Sequence, residues 1–349
     1  MKILFITHKF YPFVGGIEVN SEILANAFYN AGEQVHLITW TKESGEKNFP
    51  FPVIRNPNLA TLFQEHRWAE IVYENNPSLR LSWPAVLFNK VSVIALRTWV
   101  NRMDGKIALQ DKLKILWLKR ASGVIAVSEA VRRRSWSKAT VIGNPYRIEL
   151  FKVLPDIPRT AGFVFLGRLV SDKGADLAIK ALKKIISNAS EQGYEKALLT
   201  LSIVGDGPER HQLEDLVLQL GLKNRVKFTG SLNGEKLVSC LNKHRFILVP
   251  SLWEEPFGNV ALEGMACGCV PIVSDGGGLP DAVGNAGITF KRGNINSLAD
   301  AIANIITNPQ LEDNLRSAAS KHLTEHHPAT VSEKYLNVIK SSLKNKRVN

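Results

Sequence analysis

The chain has 349 residues, of which 45% are hydrophobic and 22% charged, with a net charge of +12. This is longer than one hydrophobic core usually fills, so two domains of an ordinary globular protein are expected. No apolar run reaches the ~18–20 residues of a membrane span, which excludes an integral helical membrane protein, while the positive charge calls for an acidic partner.

Three cysteines, Cys240, Cys267 and Cys269, are too few for a disulfide framework and lack zinc or redox spacing. A reducing compartment fits them. The opening MKILFITHKFYPFVGG has a short apolar run followed by a Pro/Gly turn, so no signal peptide is expected. A cytoplasmic protein is the expectation.

Two halves of the chain repeat one rhythm. In the first, strands are predicted at Lys2–Thr7, Val35–Trp40, Glu70–Glu74, Val91–Leu96, Gly123–Ser128 and Ala139–Gly143. In the second they are predicted at Phe163–Gly167, Leu199–Gly205, Arg225–Gly230, Phe246–Ser251 and Val270–Asp275. Near-continuous apolar strands alternating with amphipathic stretches predict parallel sheets covered on both faces, hence two doubly wound α/β domains. KVLPDIPRTAG, Lys152 to Gly162, has two prolines and no periodicity and is expected to be the linker. The domains are therefore drawn at 1–155 and 156–325. A terminal helix, 326–349, follows, with the N-terminal domain as the surface it would pack on.

Four turns at predicted strand ends carry chemistry. After the first strand, YPFVGGIEVN offers Gly15 and Gly16 at a helix start, where backbone can approach a phosphate, and Glu18 in the first helical turn. A Gly-Gly turn is by itself a weak signal. GRLVSDKG places Arg168 at a strand end and Lys173 near a helix start. Two such cations can clamp a diphosphate, although most Arg and Lys in loops are simply solvated. VGDGPE contains Gly205, but Arg210 stands where the third glycine of a dinucleotide fingerprint belongs. No metal-ligand spacing occurs.

The fourth turn is EEPFGNVALEG. A helix is predicted to begin near Gly258–Asn259 and stop at Gly268. Its start suits an anion, and Glu255 and Glu263 flank that point, eight positions apart. A carboxylate accepts two hydroxyl hydrogens at once, so the pair suits a sugar-phosphate-nucleoside. A solvated surface helix is the bland alternative, about equally good for Glu263 taken alone.

These strings together resemble the retaining GT-B glycosyltransferases of family 4, the glycosyl transferases group 1 type. EPFGNVALE, GRLVSDKG, VGDGP and GGIE carry the resemblance, and IAVSEAV and VIGNP, with Pro145 in place of a usual glycine, also look like that family. The resemblance implies a GT-B fold, two Rossmann-like domains facing across a cleft, and retaining transfer from a UDP- or GDP-sugar donor. Arg168, Lys173 and Glu255 would be catalytic. Gly15, Gly16, Gly205, Phe257, Gly258, Asn259 and Glu263 would bind the donor. No cofactor and no metal would be needed. Many members carry a histidine after the strand that here ends at Leu96; Arg97 stands there and, with Glu18, is assigned to the acceptor side. Asp281 replaces a common glutamate. The acceptor would be a glycan or lipid-linked saccharide, in cell-surface polysaccharide or glycolipid synthesis. A non-catalytic nucleotide-sugar-binding protein of the same fold and an NAD-dependent enzyme are the rival readings.

The densest basic region runs from Lys106 to Arg134. Leu109, Leu113, Leu116 and Trp117 fall on one helical face among lysines. That face is expected to bury against the domain's own sheet, with solvated charges outside. The charge would also draw the protein to the anionic inner face of a membrane, as a peripheral partner. Nucleic-acid binding is not expected, since no such module is visible.

Overall fold

The computed structural model describes residues 1–100, 108–192 and 199–348, the side chains of 189–192 and 347–348 excepted. The chain forms two compact units, one of residues 1–146 and 326–349, the other of residues 147–325. Both are parallel α/β sandwiches.

In the first unit the strands are β1 (Lys2–Thr7), β2 (Gln34–Thr39), β3 (Val53–Arg55), β4 (Ile71–Asn75), β5 (Val91–Leu96), β6 (Gly123–Ala126) and β7 (Thr140–Val141). They form one sheet in the order β3-β2-β1-β4-β5-β6-β7. Every residue of β4 and β5 is buried, because helices cover both faces of the sheet. The helices are α1 (Gly16–Asn30), α2 (Leu59–Trp68), α3 (Leu79–Ser82), α4 (Pro84–Leu87), α5 (Leu109–Arg120) and α6 (Glu129–Ser135).

In the second unit β8 (Ala161–Leu166), β9 (Leu201–Val204), β10 (Val226–Gly230), β11 (His244–Val249), β12 (Val270–Ser274) and β13 (Ile288–Phe290) form a sheet in the order β10-β9-β8-β11-β12-β13. Around it lie α7 (Ala175–Gln192), α8 (Arg210–Gln219), α9 (Gly234–Asn242), α10 (Asn259–Ala266), α11 (Leu279–Val283), α12 (Ile295–Thr307) and α13 (Pro309–Glu325). In both units the order reverses beside the first strand, which is the topology of a doubly wound nucleotide-binding sheet.

The last helix, α14 (Pro328–Val348), belongs to the first unit. Its Val331, Tyr335, Leu336 and Ile339 join the core cluster of Phe5, Phe28 and Tyr73. Lys340 lies 3.5 Å from Glu33, which also holds the N-terminal ammonium at 2.6 Å.

Three expectations are corrected. The division falls at residues 146/147 and not at 155/156. The proline-bearing stretch from Lys152 is no free linker, because the Asn242 side chain accepts from Leu154 N at 2.8 Å and donates to Lys152 O at 3.0 Å. Arg159 further along donates to His244 O at 3.0 Å, so this strap is stitched to the second unit.

The second correction concerns the short strands β3 and β13, which lie at sheet edges and were not predicted. The third concerns α5, whose stripe Leu109, Leu113 and Leu116 is 73, 46 and 59% exposed. The helix docks through its opposite side, with Asp111 and Leu118 buried. Trp117 Nε1 donates to the buried Glu74 carboxylate at 2.9 Å. Residues 106 and 107 of the basic segment lie outside the described residues.

Candidate active site

The second unit gathers its predicted turns at the C-terminal ends of β8, β9 and β11. After β8 the chain makes a short 3-10 turn at Ser171–Lys173 and enters α7 through Gly174 at φ +73°. A Cβ on Gly174 would stand 2.1 Å from Pro250 O, so only glycine lets this turn lie on the end of β11. Asp172 O accepts from Leu252 N at 2.8 Å and Trp253 N at 3.1 Å, joining the two loops.

That seam brings Lys173 onto Glu255. The ammonium donates to Glu255 Oε1, and the Ser251 hydroxyl donates to the same oxygen at 3.1 Å. The Trp253 ring lies 5.6 Å from Lys173 Nζ. Arg168 is different: it is exposed, and its guanidinium makes no hydrogen bond or ion pair among the described residues. The loop therefore presents one free cation beside a paired one.

The EEPFG loop is fixed from below. Gly278 N donates to Glu255 O at 2.7 Å, and Glu254 pairs with Arg292 at 3.0 Å. Phe257 is buried, and Gly258 caps α10 at φ +115°. No side chain caps this helix, so the first turn beginning at Asn259 keeps the positive end of the dipole at the loop. Glu263 lies one turn in and is half-buried. Its carboxylate makes no hydrogen bond among the described residues. Burial pushes its pKa up to about 7, while the Arg147 guanidinium draws it part of the way back. Arg147 Nε is itself buried without a hydrogen-bond partner.

Gly205 is explained by chain packing. Its φ is +138°, and a Cβ would stand 1.8 Å from Gly167 O. The VGDGP turn thus packs closely on the start of GRLVSDKG.

In the first unit Gly16 opens α1 and is exposed. Glu18 folds back so that a Cβ on Gly15 would meet its Oε2 at 2.4 Å. Beside them is a cavity of about 280 Å³ lined by His8, Lys9, Glu18, Asn76, Trp99 and Lys114. Arg97 is not among its walls. It is 5% exposed and donates to Asn75 Oδ1 at 2.6 Å, Asn144 Oδ1 at 2.9 Å and the Tyr73 hydroxyl at 3.0 Å. Its guanidinium also lies 5.1 Å from the centre of the Tyr335 ring on α14. The acceptor-side assignment of Arg97 is therefore wrong: it is a buried clamp between the sheet and the terminal helix.

The glycosyl transferases group 1 family matches residues 148–322, half of the chain. The chain belongs to this family. An uncharacterized glycosyltransferase of Methanocaldococcus jannaschii is 32% identical over 98% of the chain and 99% of that relative. The gpi3 subunit of the Schizosaccharomyces pombe phosphatidylinositol N-acetylglucosaminyltransferase is 24% identical over 86% of the chain and 72% of its own length. Among solved structures, Anabaena HepE in complex with UDP and glucose superposes with a TM-score of 0.76 at 21% identity, covering 98% of the chain and all of that protein. The two parallel Rossmann-like units are those of the GT-B fold.

In this group 1 glycosyltransferase, sequence reasoning missed Ser251, Trp253 and Arg147. Ser251 was within reach, since it closes the predicted strand whose carboxyl end faces ligands. Arg147 had no local signal, because its relation to Glu263 exists only after folding. Among the described residues no cluster of His, Cys, Asp and Glu could hold a metal ion, and no helix is long and apolar enough to cross a membrane.

Proposed function

We propose that this glycosyltransferase moves a sugar with retention from a nucleotide-sugar, a UDP-sugar in preference to a GDP-sugar, to a glycan or lipid-linked saccharide in surface polysaccharide or glycolipid synthesis. The observation that carries the reading is the Lys173–Glu255–Ser251 constellation beside the free Arg168 and the uncapped start of α10. Arg168 and Lys173 neutralise the diphosphate as the bond from the anomeric carbon to phosphate oxygen breaks. Glu255 reads the sugar hydroxyls, and Glu263 reads the ribose.

Glu255 is already held by Lys173 and Ser251, which makes it a poor nucleophile for a covalent intermediate. The reading is therefore a front-face substitution. The acceptor oxygen attacks from the side the diphosphate leaves, and the acceptor proton passes to a departing phosphate oxygen. Arg168 and Lys173 supply the positive charge, so we read the reaction as independent of metal. The UDP bound by HepE favours a uridine donor, and the phosphatidylinositol in the gpi3 relative's name favours a lipid acceptor. Peripheral association of a cytoplasmic enzyme with an anionic membrane belongs to the same reading.

The test is a mass-spectrometric screen of nucleotide-sugars for released nucleoside diphosphate, followed by NMR of the product's anomeric configuration. No turnover with any donor, or an inverted product, overturns it.

A further inference from the structure

The first unit has a basic groove at the other end of its own sheet from the cavity that holds Glu18. Lys90 stands just before β5 and Ser122 just before β6, so the groove lies at the N-terminal end of the sheet. The cavity that holds Glu18 lies at the C-terminal end. The groove has a volume of about 550 Å³ and is lined by Lys90, Arg120 and Lys346 with Val86, Ser122 and Ser342. Its cations come from α5, from the last turns of α14 and from the residue just before β5.

None of the three cations forms an ion pair among the described residues. The Lys90 ammonium donates to Arg67 O at 3.2 Å and Ala69 O at 2.5 Å. Lys346 donates to Asn89 O, and to its Oδ1 at 2.9 Å. Arg120 donates to Ser92 Oγ at 3.4 Å and lies over the Trp117 ring, 4.6 Å from its centre. By donor count each lysine keeps one N–H and Arg120 keeps four. Two carboxylates offset part of this charge: Glu70, which also accepts from Lys2 N at 2.7 Å, acts on Lys90, and Glu74, which also accepts from Ser78 N at 2.8 Å, acts on Arg120. Burial, and then the charge of Lys346, pull the Lys90 pKa below its ordinary value. Such a cluster is stabilised by an anion.

The rim of the groove says which kind. Val86 and Leu87 on α4 are 50 and 64% exposed. Leu116, one turn before Arg120 on the same face of α5, is 59% exposed. Cations beside unpartnered aliphatic side chains match a molecule that is anionic at one end and apolar at the other.

We propose that this groove seats the anionic headgroup of a membrane lipid, with Val86, Leu87 and Leu116 entering the acyl boundary. The inference rests on the membrane association proposed above and names the surface that makes it. The experiment is co-sedimentation of the full chain with phosphatidylcholine vesicles, with and without phosphatidylglycerol. Two variants are compared, Arg120→Gln/Lys346→Gln and Val86→Ser/Leu87→Ser, with thermal melting to show that each is folded.

The parent chain should bind only the anionic vesicles, and less as salt is added. The charge variant should lose roughly fivefold per cation, about 25-fold in all. The apolar variant should also bind more weakly. Anionic-vesicle binding that survives in the charge variant overturns the groove and leaves the membrane reading standing. No binding by the parent overturns both. Loss in the charge variant with none in the apolar one overturns the entry of the aliphatic rim into the acyl boundary and leaves electrostatic adsorption alone.

Discussion

The Lys173 ammonium is paired with the Glu255 carboxylate, and the Ser251 hydroxyl donates to the same oxygen. Two residues expected to serve opposite ends of a donor thus hold one another. Glu255→Gln should leave Lys173 freer for a diphosphate. Nucleoside diphosphate affinity is expected to rise several-fold, on the ~1 kcal/mol scale of one ion pair. Turnover should fall, because the sugar loses its carboxylate. Calorimetry with UDP and a release assay measure the two arms, and an unchanged or weakened UDP affinity would count against the pairing.

Arg168 offers a cleaner charge deletion, because its side chain holds nothing in place. Arg168→Ala should melt like the parent yet turn over roughly 10²-fold more slowly, the usual loss for one stabiliser of developing charge. Transfer by the parent should continue in excess chelator. Equal turnover in the variant, or activity abolished by chelator and restored by Mg²⁺, would contradict the proposed mechanism.

Glu263 gives a pH signature. Its folded pKa of about 7 lies above the ordinary carboxyl value, so the folded state keeps a proton that the unfolded chain releases. Its contribution is fully present below about pH 4.5 and is lost as pH rises through about 7. Glu263→Gln should remove this fall, gaining about 1–3 kcal/mol on the parent at alkaline pH. Melting curves from acid to alkaline pH give the difference. The same variant should weaken every nucleoside diphosphate, since all of them contain ribose.

Gly258 combines φ +115° with a position where a Cβ would stand 2.4 Å from Leu279 Cδ2. Gly258→Ala should cost about 1–3 kcal/mol and displace the start of α10. Donor affinity and stability should fall together, as calorimetry and melting can show. A variant with parental melting would mean that the turn is less constrained than its geometry indicates.

Arg97→Ala tests the corrected role of that residue. It strands Asn75, Asn144 and Tyr73 in the core of the first unit and should destabilise by about 3 kcal/mol or more. Chemical denaturation measures this, and a variant of parental stability that has lost transfer would return Arg97 to the acceptor side.

The sequence by itself determined the architecture and which turns lie at the strand ends of the second unit. Strand rhythm is a local property: an apolar run in a sheet covered on both faces must be continuous, and β4 and β5 show it. Glycine-bearing turns at strand ends are equally local, so GRLVSDKG and EEPFGNVALE were readable with the right neighbours. What only the tertiary structure decided depends on which side chains meet. Leu109, Leu113 and Leu116 have the spacing of a buried face, yet Glu74 and Trp117 turn α5 the other way. Arg97 stands in sequence where a family histidine would, and only the fold surrounds it with Asn75 and Asn144. Lys173 and Glu255 are far apart in the chain, and only the close approach of Gly174 to Pro250 makes them an ion pair. Periodicity fixes which residues share a face; which way that face turns depends on contacts that a linear pattern does not contain.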